Sequence, residues 1–368
     1  MNAVLITFWL CALFLYVRTA ISVYNLFSRP LLQVGTPAAM PLVSVLIPAR
    51  NEAHNLPVLF EQLQQLRYPG LEIIVLNDQS EDDTEAVLQR LTARDGRYRY
   101  LNGQPLPTGW LGKNWACHQL AREASGQYLL FLDADIAYLH PDMLTYCLPY
   151  MQQYQLALLS VFPDQIMGSM AERVVVPIMH YLLLSLLPLP LVFRAASPSL
   201  AAANGQFMLF ERETYRAFQW HAQLKEVVIE DVGIMRRLKQ QGLKGMTLLA
   251  NGYIRCRMYH SYREGLAGFS KNLLAGFGSV PLLLLYLSLT LLLWPWLLVY
   301  LPLPYFLLPL GSLLLLRAAV SRLARQSLWQ NWLLHPLQMG TLCLIAMLSL
   351  YQHWRKQSTW KGRNVSRA

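Results

Sequence analysis

Short apolar runs alternate with amphipathic stretches between Pro41 and about Met258. Val43–Ile47, Ile73–Leu76 and Tyr128–Leu132 are apolar at every position and only a few residues long. That pattern predicts strands of a parallel sheet covered on both faces. Leu56–Leu66, Thr84–Ala93 and Asn114–Ala124 carry helical periodicity between them, and Pro141 suits the first turn of a further helix through Leu144. Strand–helix alternation predicts an α/β domain, and some 200 residues suffice for one core. Phe207–Phe210 reads as another strand, opened by Asn204-Gly205-Gln206.

The flanks follow a different pattern. Met1 to about Tyr24 is apolar, longer than a signal-peptide core and without a basic start, so residues 1–25 read as a retained anchor. Arg18 and Arg29 at its inner end place the next domain on the cytoplasmic side. Val280 to Leu316 is long enough for two crossings divided near Pro302-Leu303-Pro304, and Leu333–Leu350 for one more or for a re-entrant helix. Arg317, Arg322 and Arg325 between them should face the cytoplasm. Three C-terminal crossings would put the basic tail 354–368 outside, against the charge rule. Val174–Phe193 is apolar but interrupted by Pro177, Pro188 and Pro190. It reads as a segment in the membrane interface, with a buried helix of the α/β domain as the plainer alternative.

Composition agrees with this division. Hydrophobic residues make up 54% of the 368 and charged ones 14%, too apolar for a wholly soluble chain. The net charge of +10 lies beside the apolar stretches, as membrane-surface charge does, and no basic helix or aromatic platform supports nucleic acid as a partner. The five cysteines are scattered without C-x-x-C spacing, so the pattern indicates neither a zinc site nor a disulfide frame. Trp294, Trp296 and Trp354 read as interfacial anchors.

The polar residues at the strand ends carry the chemistry. Asp133-Ala134-Asp135 follows a buried strand, and two carboxylates so placed suit a hard divalent cation. Two solvated acids in a loop are the plainer reading of the triplet alone. Pro48-Ala49-Arg50-Asn51-Glu52 and Asn77-Asp78-Gln79-Ser80 end the other strands and should open on the same edge. Asp78 is placed to accept a base N–H, and Glu52 to bind ribose or a base edge. Asp83 and Asn55 read as helix caps. Gly112-Lys113 opens a helix where a cation is unfavourable unless an anion such as phosphate shares the place. Glu230-Asp231 offers a general base, with dipole pairing at a helix start as its bland alternative. Arg255 and Arg257 suit diphosphate oxygens or lipid head groups, and Arg263 and Lys271 suit head groups.

In order, Ile47-Pro48-Ala49-Arg50-Asn51-Glu52, Asn77-Asp78-Gln79-Ser80, Gly112-Lys113, Asp133-Ala134-Asp135 and Glu230-Asp231 resemble the family-2 glycosyltransferases. Arg257-Met258-Tyr259 and Trp360-Lys361-Gly362-Arg363 resemble the membrane-anchored branch of carotenoid-acid and hopanoid-associated members. The resemblance covers about Pro41 to Asn272. It implies a GT-A fold, an inverting hexosyltransferase, a nucleotide-sugar donor such as UDP-glucose, Mg²⁺ or Mn²⁺, and a lipophilic acceptor such as a carotenoid, in a multi-pass plasma-membrane protein. By that resemblance Pro48, Ala49, Arg50, Glu52, Asp78, Lys113, Asp133 and Arg257 line the donor. Asp133 and Asp135 hold the metal, and Asp231 is the base with Glu230 as its rival. The Q-x-x-R-W element of processive members is absent, which weighs against a polysaccharide synthase. A non-catalytic nucleotide-sugar-binding scaffold is the remaining alternative.

Overall fold

A computed structural model describes residues 1–93, 95–355, 359–360 and 363–364. Most of the basic tail 354–368, including Lys361 and Gly362, lies outside the described residues. The chain forms two units. Pro30–Ile166 and Leu189–Met258 belong to one, and Met1–Arg29, Met167–Pro188 and Tyr259–Ser358 to the other.

The first unit is built on strands β1 (Val43–Ala49), β2 (Leu71–Asn77), β3 (Tyr98–Asn102), β4 (Tyr128–Leu132), β5 (Ile136–Leu139), β6 (Leu158–Phe162), β7 (Asp164–Gln165), β8 (Phe207–Glu211), β9 (Gly245–Leu249) and β10 (Ile254–Cys256). The main sheet runs β3-β2-β1-β4-β8-β6-β9. It is parallel except for β8, which runs against both neighbours. In register, Val45 faces Ile73 on one side and Leu130 on the other. Every residue of β4, β6 and β9 is buried, as full cover by helices requires. The predicted strands and helices form with their ends shifted by a few residues. The helix after Pro141 runs farther than expected, Met143–Tyr154. β5, β10 and β7 make a second, small sheet. It joins the chain just after Asp135 to the chain just before Arg257.

Two expected caps are corrected. Asn55 makes no capping bond, because its amide donates to Glu52 Oε2 at 2.7 Å. Asp83 makes none either. Asp82 Oδ1 accepts the Thr84 N–H at 3.0 Å and does that work.

In the second unit three helices are long and apolar enough to cross a membrane: Asn2–Ser28, Val280–Tyr300 and Leu303–Leu323. The break at Pro302 falls where the sequence divides. Pro295 has no N–H for the carbonyl of Leu291, and the preceding Ser288–Leu292 winds as a π-helix. His335–Arg355 is not among the three and buries a polar row, Gln338, Thr341 and Ser349. The apolar run from Val174 is cut by its prolines into Met170–Val175, Pro177–Leu186 and Pro190–Arg194. Pro177–Leu186 is buried along one face and packs against Asn2–Ser28 and the helix Leu307–Leu323.

Arg18 and Arg317 are not the surface charges the sequence suggests. They are 1% and 2% exposed. Arg18 donates to Ser185 Oγ at 2.8 Å, and Arg317 to the Asn331 carbonyl at 3.1 Å. Their guanidiniums cover the Tyr181 ring at 4.7 and 4.8 Å. Aromatic faces and neutral acceptors replace water around both charges, which is how helix-bundle interiors keep arginine.

Candidate active site

β1, β2 and β4 are parallel neighbours, so their C-terminal ends deliver Ala49, Asn77 and Leu132 to one edge of the sheet. The loops after them are knitted together. Asp78 N–H donates to the Ala49 carbonyl at 2.7 Å. Arg50 donates to the Asp78 and Gln79 carbonyls at 2.9 and 2.6 Å and pairs with Glu81 at 2.8 Å. Asn51 and Gln79 both take left-handed backbone conformations, with φ of 53° and 54°. Asn51 Oδ1 accepts the Glu81 N–H at 2.8 Å in return. Arg50 thus shapes the loop that carries Asp78, which is itself buried.

Lys113, one residue into the helix Gly112–Glu123, lies 2.9 Å from Asp133 Oδ2 and 3.4 Å from Glu230 Oε1. Burial works against its ammonium, but Asp133 and Glu230 outweigh burial and hold Lys113 well above the ordinary lysine value. Glu230 and Asp231 begin the helix Glu230–Gln240. Asp231 Oδ2 accepts the Gly205 N–H at 2.9 Å and Oδ1 accepts the Val232 N–H at 2.8 Å. Burial, then Glu230, pushes the Asp231 carboxyl up to about 7 against these two N–H bonds and the pull of Lys113. Gly205 is the floor of the cluster. A Cβ there would meet Lys113 Nζ at 2.9 Å and Glu230 Oε1 at 3.4 Å.

Asp135 sits deeper. Gln206 Nε2 donates to its Oδ2 at 3.0 Å and to Cys256 Sγ at 2.7 Å. Asp135 Oδ1 is buried and accepts no N–H or O–H among the described residues, while the Cys256 thiol lies within hydrogen-bonding reach of the same carboxyl. Burial, then the charges of Asp133 and Glu52, pushes the Asp135 carboxyl up to about 7. Arg257 follows Cys256, whose Cα partner across the small sheet is Ile136, beside Asp135. Sequence reasoning missed Gln206 and Cys256 as partners of Asp135. The glycine before Gln206 was its only signal, and Cys256 carried none.

The site therefore gathers Asp133, Asp135, Glu230, Asp231 and Lys113, with Glu52 facing Asp135. Among the described residues no three His, Cys, Asp or Glu side chains form a closed metal cage. A hard cation that takes phosphate oxygens and water as its other ligands needs only one or two carboxylates. The undonated Asp135 oxygen beside Asp133 fits that kind of ion.

A stability effect follows from Asp135. Its folded value near 7 stands above the ordinary 3.8, so the folded chain holds a proton that the unfolded chain gives up between those values. That contribution is present below about pH 4 and lost as pH rises through about 7. Without divalent cation, Asp135→Asn is expected to melt at a higher temperature than the parent at about pH 8, with a narrower gap at about pH 5, read by thermal scanning.

Residues 44–217 match the family model described as Glycosyl transferase family 2. Over 239 residues the chain is 25% identical to 4,4'-diaponeurosporenoate glycosyltransferase of Staphylococcus haemolyticus, covering 64% of this chain and 62% of that protein. It spans the same 62% of the Staphylococcus aureus (strain USA300) protein of that name, at 26% identity over 250 residues, or 64% of this chain. A 97-residue stretch is 38% identical to the GalNAc(5)-diNAcBac-PP-undecaprenol beta-1,3-glucosyltransferase of Campylobacter jejuni, covering 26% of this chain and 30% of that one. Among solved structures, the mannosyltransferase PcManGT from Pyrobaculum calidifontis, in complex with GDP-Man and Mn2+, aligns with a TM-score of 0.59 at 17% identity. The alignment covers 95% of this chain and 98% of that one, a likeness of fold.

Proposed function

We propose, from the match of residues 44–217 to the Glycosyl transferase family 2 model and the GT-A-like α/β fold, that this chain moves a hexose from a nucleoside-diphosphate sugar to a lipophilic membrane acceptor, with inversion. UDP-glucose is the first donor to test, and a carotenoid acid or other lipid the acceptor class. The observation that carries this reading is the cluster around Gly205. One lysine is held between Asp133 and Glu230, while Asp231 accepts the N–H groups of Gly205 and Val232.

In this reading the acceptor oxygen attacks the anomeric carbon as its bond to the diphosphate breaks. The bonding pair leaves with the diphosphate, and the acceptor proton passes to Asp231. A carboxyl near 7 is suited to take a proton at neutral pH, whereas Glu230 is engaged by Lys113. Lys113 stands where developing charge on the diphosphate needs a cation. Asp78 and Glu52 hold the nucleoside, with the 78–81 loop shaped by Arg50, and Pro48, Ala49 and Arg257 border it. Mg²⁺ or Mn²⁺ on Asp133 and Asp135 would neutralise the leaving diphosphate.

The reading is tested with membranes carrying the chain, a panel of radiolabelled nucleotide sugars and a total lipid extract. Label is expected to move into the organic phase with one donor, and to stop when divalent cation is chelated. Donor binding without transfer or hydrolysis, for every donor, would favour the scaffold.

Three candidate spans also suggest a topology. One crossing before the α/β unit and two after it return the chain to the side of that unit. Arg322, Arg325 and the basic tail then share the cytoplasm with the site, in keeping with the charge rule. A reporter fused after Ala368 is expected to read as cytoplasmic. A readout on the opposite side of the membrane would overturn the three-span layout.

A further inference from the structure

The helical unit holds a cleft of 360 Å³ that the transfer chemistry does not use. Three helices form it, none of them a candidate span: Met170–Val175, Tyr262–Phe277, and His335–Arg355 with the turn before it. Met170, Val174 and Leu337 give it apolar walls. Its two hydroxyls satisfy each other, with Tyr262 Oη 2.9 Å from Thr341 Oγ1. A cleft whose polar atoms are already paired suits hydrocarbon better than a hydrogen-bonding ligand. The lip is apolar as well, since Met170 and Leu337 are 56% and 60% exposed. Single exposed apolar residues are ordinary, but here they continue the lining of a concave site.

The walls are fixed in advance. Two of the helices start with the same S-x-x-E box. Ser169 Oγ accepts the Glu172 N–H at 3.2 Å, and Glu172 Oε2 accepts the Gly168 N–H at 2.7 Å. Ser261 and Glu264 repeat this with the Glu264 N–H at 3.2 Å and the His260 N–H at 2.8 Å. A Cβ on Gly265 would stand 2.6 Å from Val175 Cγ1, so these two helices meet as closely as a glycine permits.

We propose that this cleft seats the hydrocarbon chain of the membrane acceptor, an inference that rests on the transferase reading. The unit that forms it also contains the three candidate spans, so bilayer hydrocarbon is the apolar material at hand. A preformed wall lowers the ordering cost of a flexible chain.

The test uses the full chain in phospholipid vesicles with a long-chain alcohol bearing a diazirine at its tail. After photolysis, label is expected to concentrate on peptides containing Met170–Val174 and Leu334–Thr341, and to be competed by a total lipid extract. Val174→Trp fills the cleft from within and Leu337→Trp from its lip. Each is expected to cut that labelling by about tenfold, with a matching rise in KM for the lipid extract and none in KM for the donor. Label spread evenly over the three spans overturns the proposal. So does cleft labelling unchanged in both tryptophan variants, each melting like the parent. Competed cleft labelling in a chain that transfers no sugar supports the cleft and removes the transferase reading instead.

Discussion

Asp231→Asn is expected to lower transfer by about a thousandfold while nucleotide-sugar binding persists, the scale of losing a positioned general base. An asparagine can keep the N–H bonds from Gly205 and Val232 through its oxygen, so the local backbone survives. What disappears is the proton acceptor. Glu230→Gln should cost less, because Glu230 faces Lys113 at 3.4 Å and is already compensated. The pH profile of kcat separates the two. With its carboxyl near 7, Asp231 is a carboxylate above that value and already protonated below it. Turnover should therefore fall about tenfold per unit as pH drops below about 7 and level off above it. The Glu230→Gln enzyme keeps such a limb, displaced to lower pH, since Glu230 is a cause of the raised value. A parent profile flat from about pH 5 to 8 would remove Asp231 from the role.

The second large effect is expected at Lys113. Lys113→Met removes the cation that pairs with both Asp133 and Glu230 and leaves Asp231 and Asp135 close by. A doubly negative diphosphate would then meet uncompensated carboxylates. KM for the donor should rise on the order of a hundredfold, the scale of truncating one partner of a desolvated charge pair. Lys113 also holds the Asp231 carboxyl down, so the acidic limb of the kcat profile should move to higher pH. Steady-state kinetics over pH read both effects. A variant with raised KM and an unmoved profile would place Lys113 on the donor alone.

The strands that carry these residues were legible because each is apolar throughout. β1, β2 and β4 could be read from Val43, Ile73 and Tyr128 onward, and the polar clusters after them had to share an edge once the strands were parallel. Glu230 and Asp231 could be named but not ranked, because the ranking depends on Lys113 and Gly205, both distant in sequence. The pairing of Asp135 with Gln206 and Cys256 was equally hidden, since it needs β8 and β10 brought beside β4 and β5. β3 escaped notice because an edge strand with Arg99 and Asn102 lacks a continuous apolar run. Arg18 misled for a different reason. Charge near an apolar stretch implies a membrane side only when it reaches the surface, and Arg18 is buried against Tyr181 and Ser185. The two S-x-x-E boxes also stand in the sequence, but they were not read there as helix starts.

If the Asp133–Asp231 cluster transfers sugar to a membrane lipid, nucleoside-diphosphate release depends on both Asp231 and the lipid. The most direct test measures nucleoside-diphosphate release by membranes given a nucleotide sugar and divalent cation, with and without lipid extract, for the parent and Asp231→Asn. Release that depends on the lipid in the parent and vanishes in the variant is the predicted result. Release that is indifferent to lipid, or equal in the two proteins, would contradict the account.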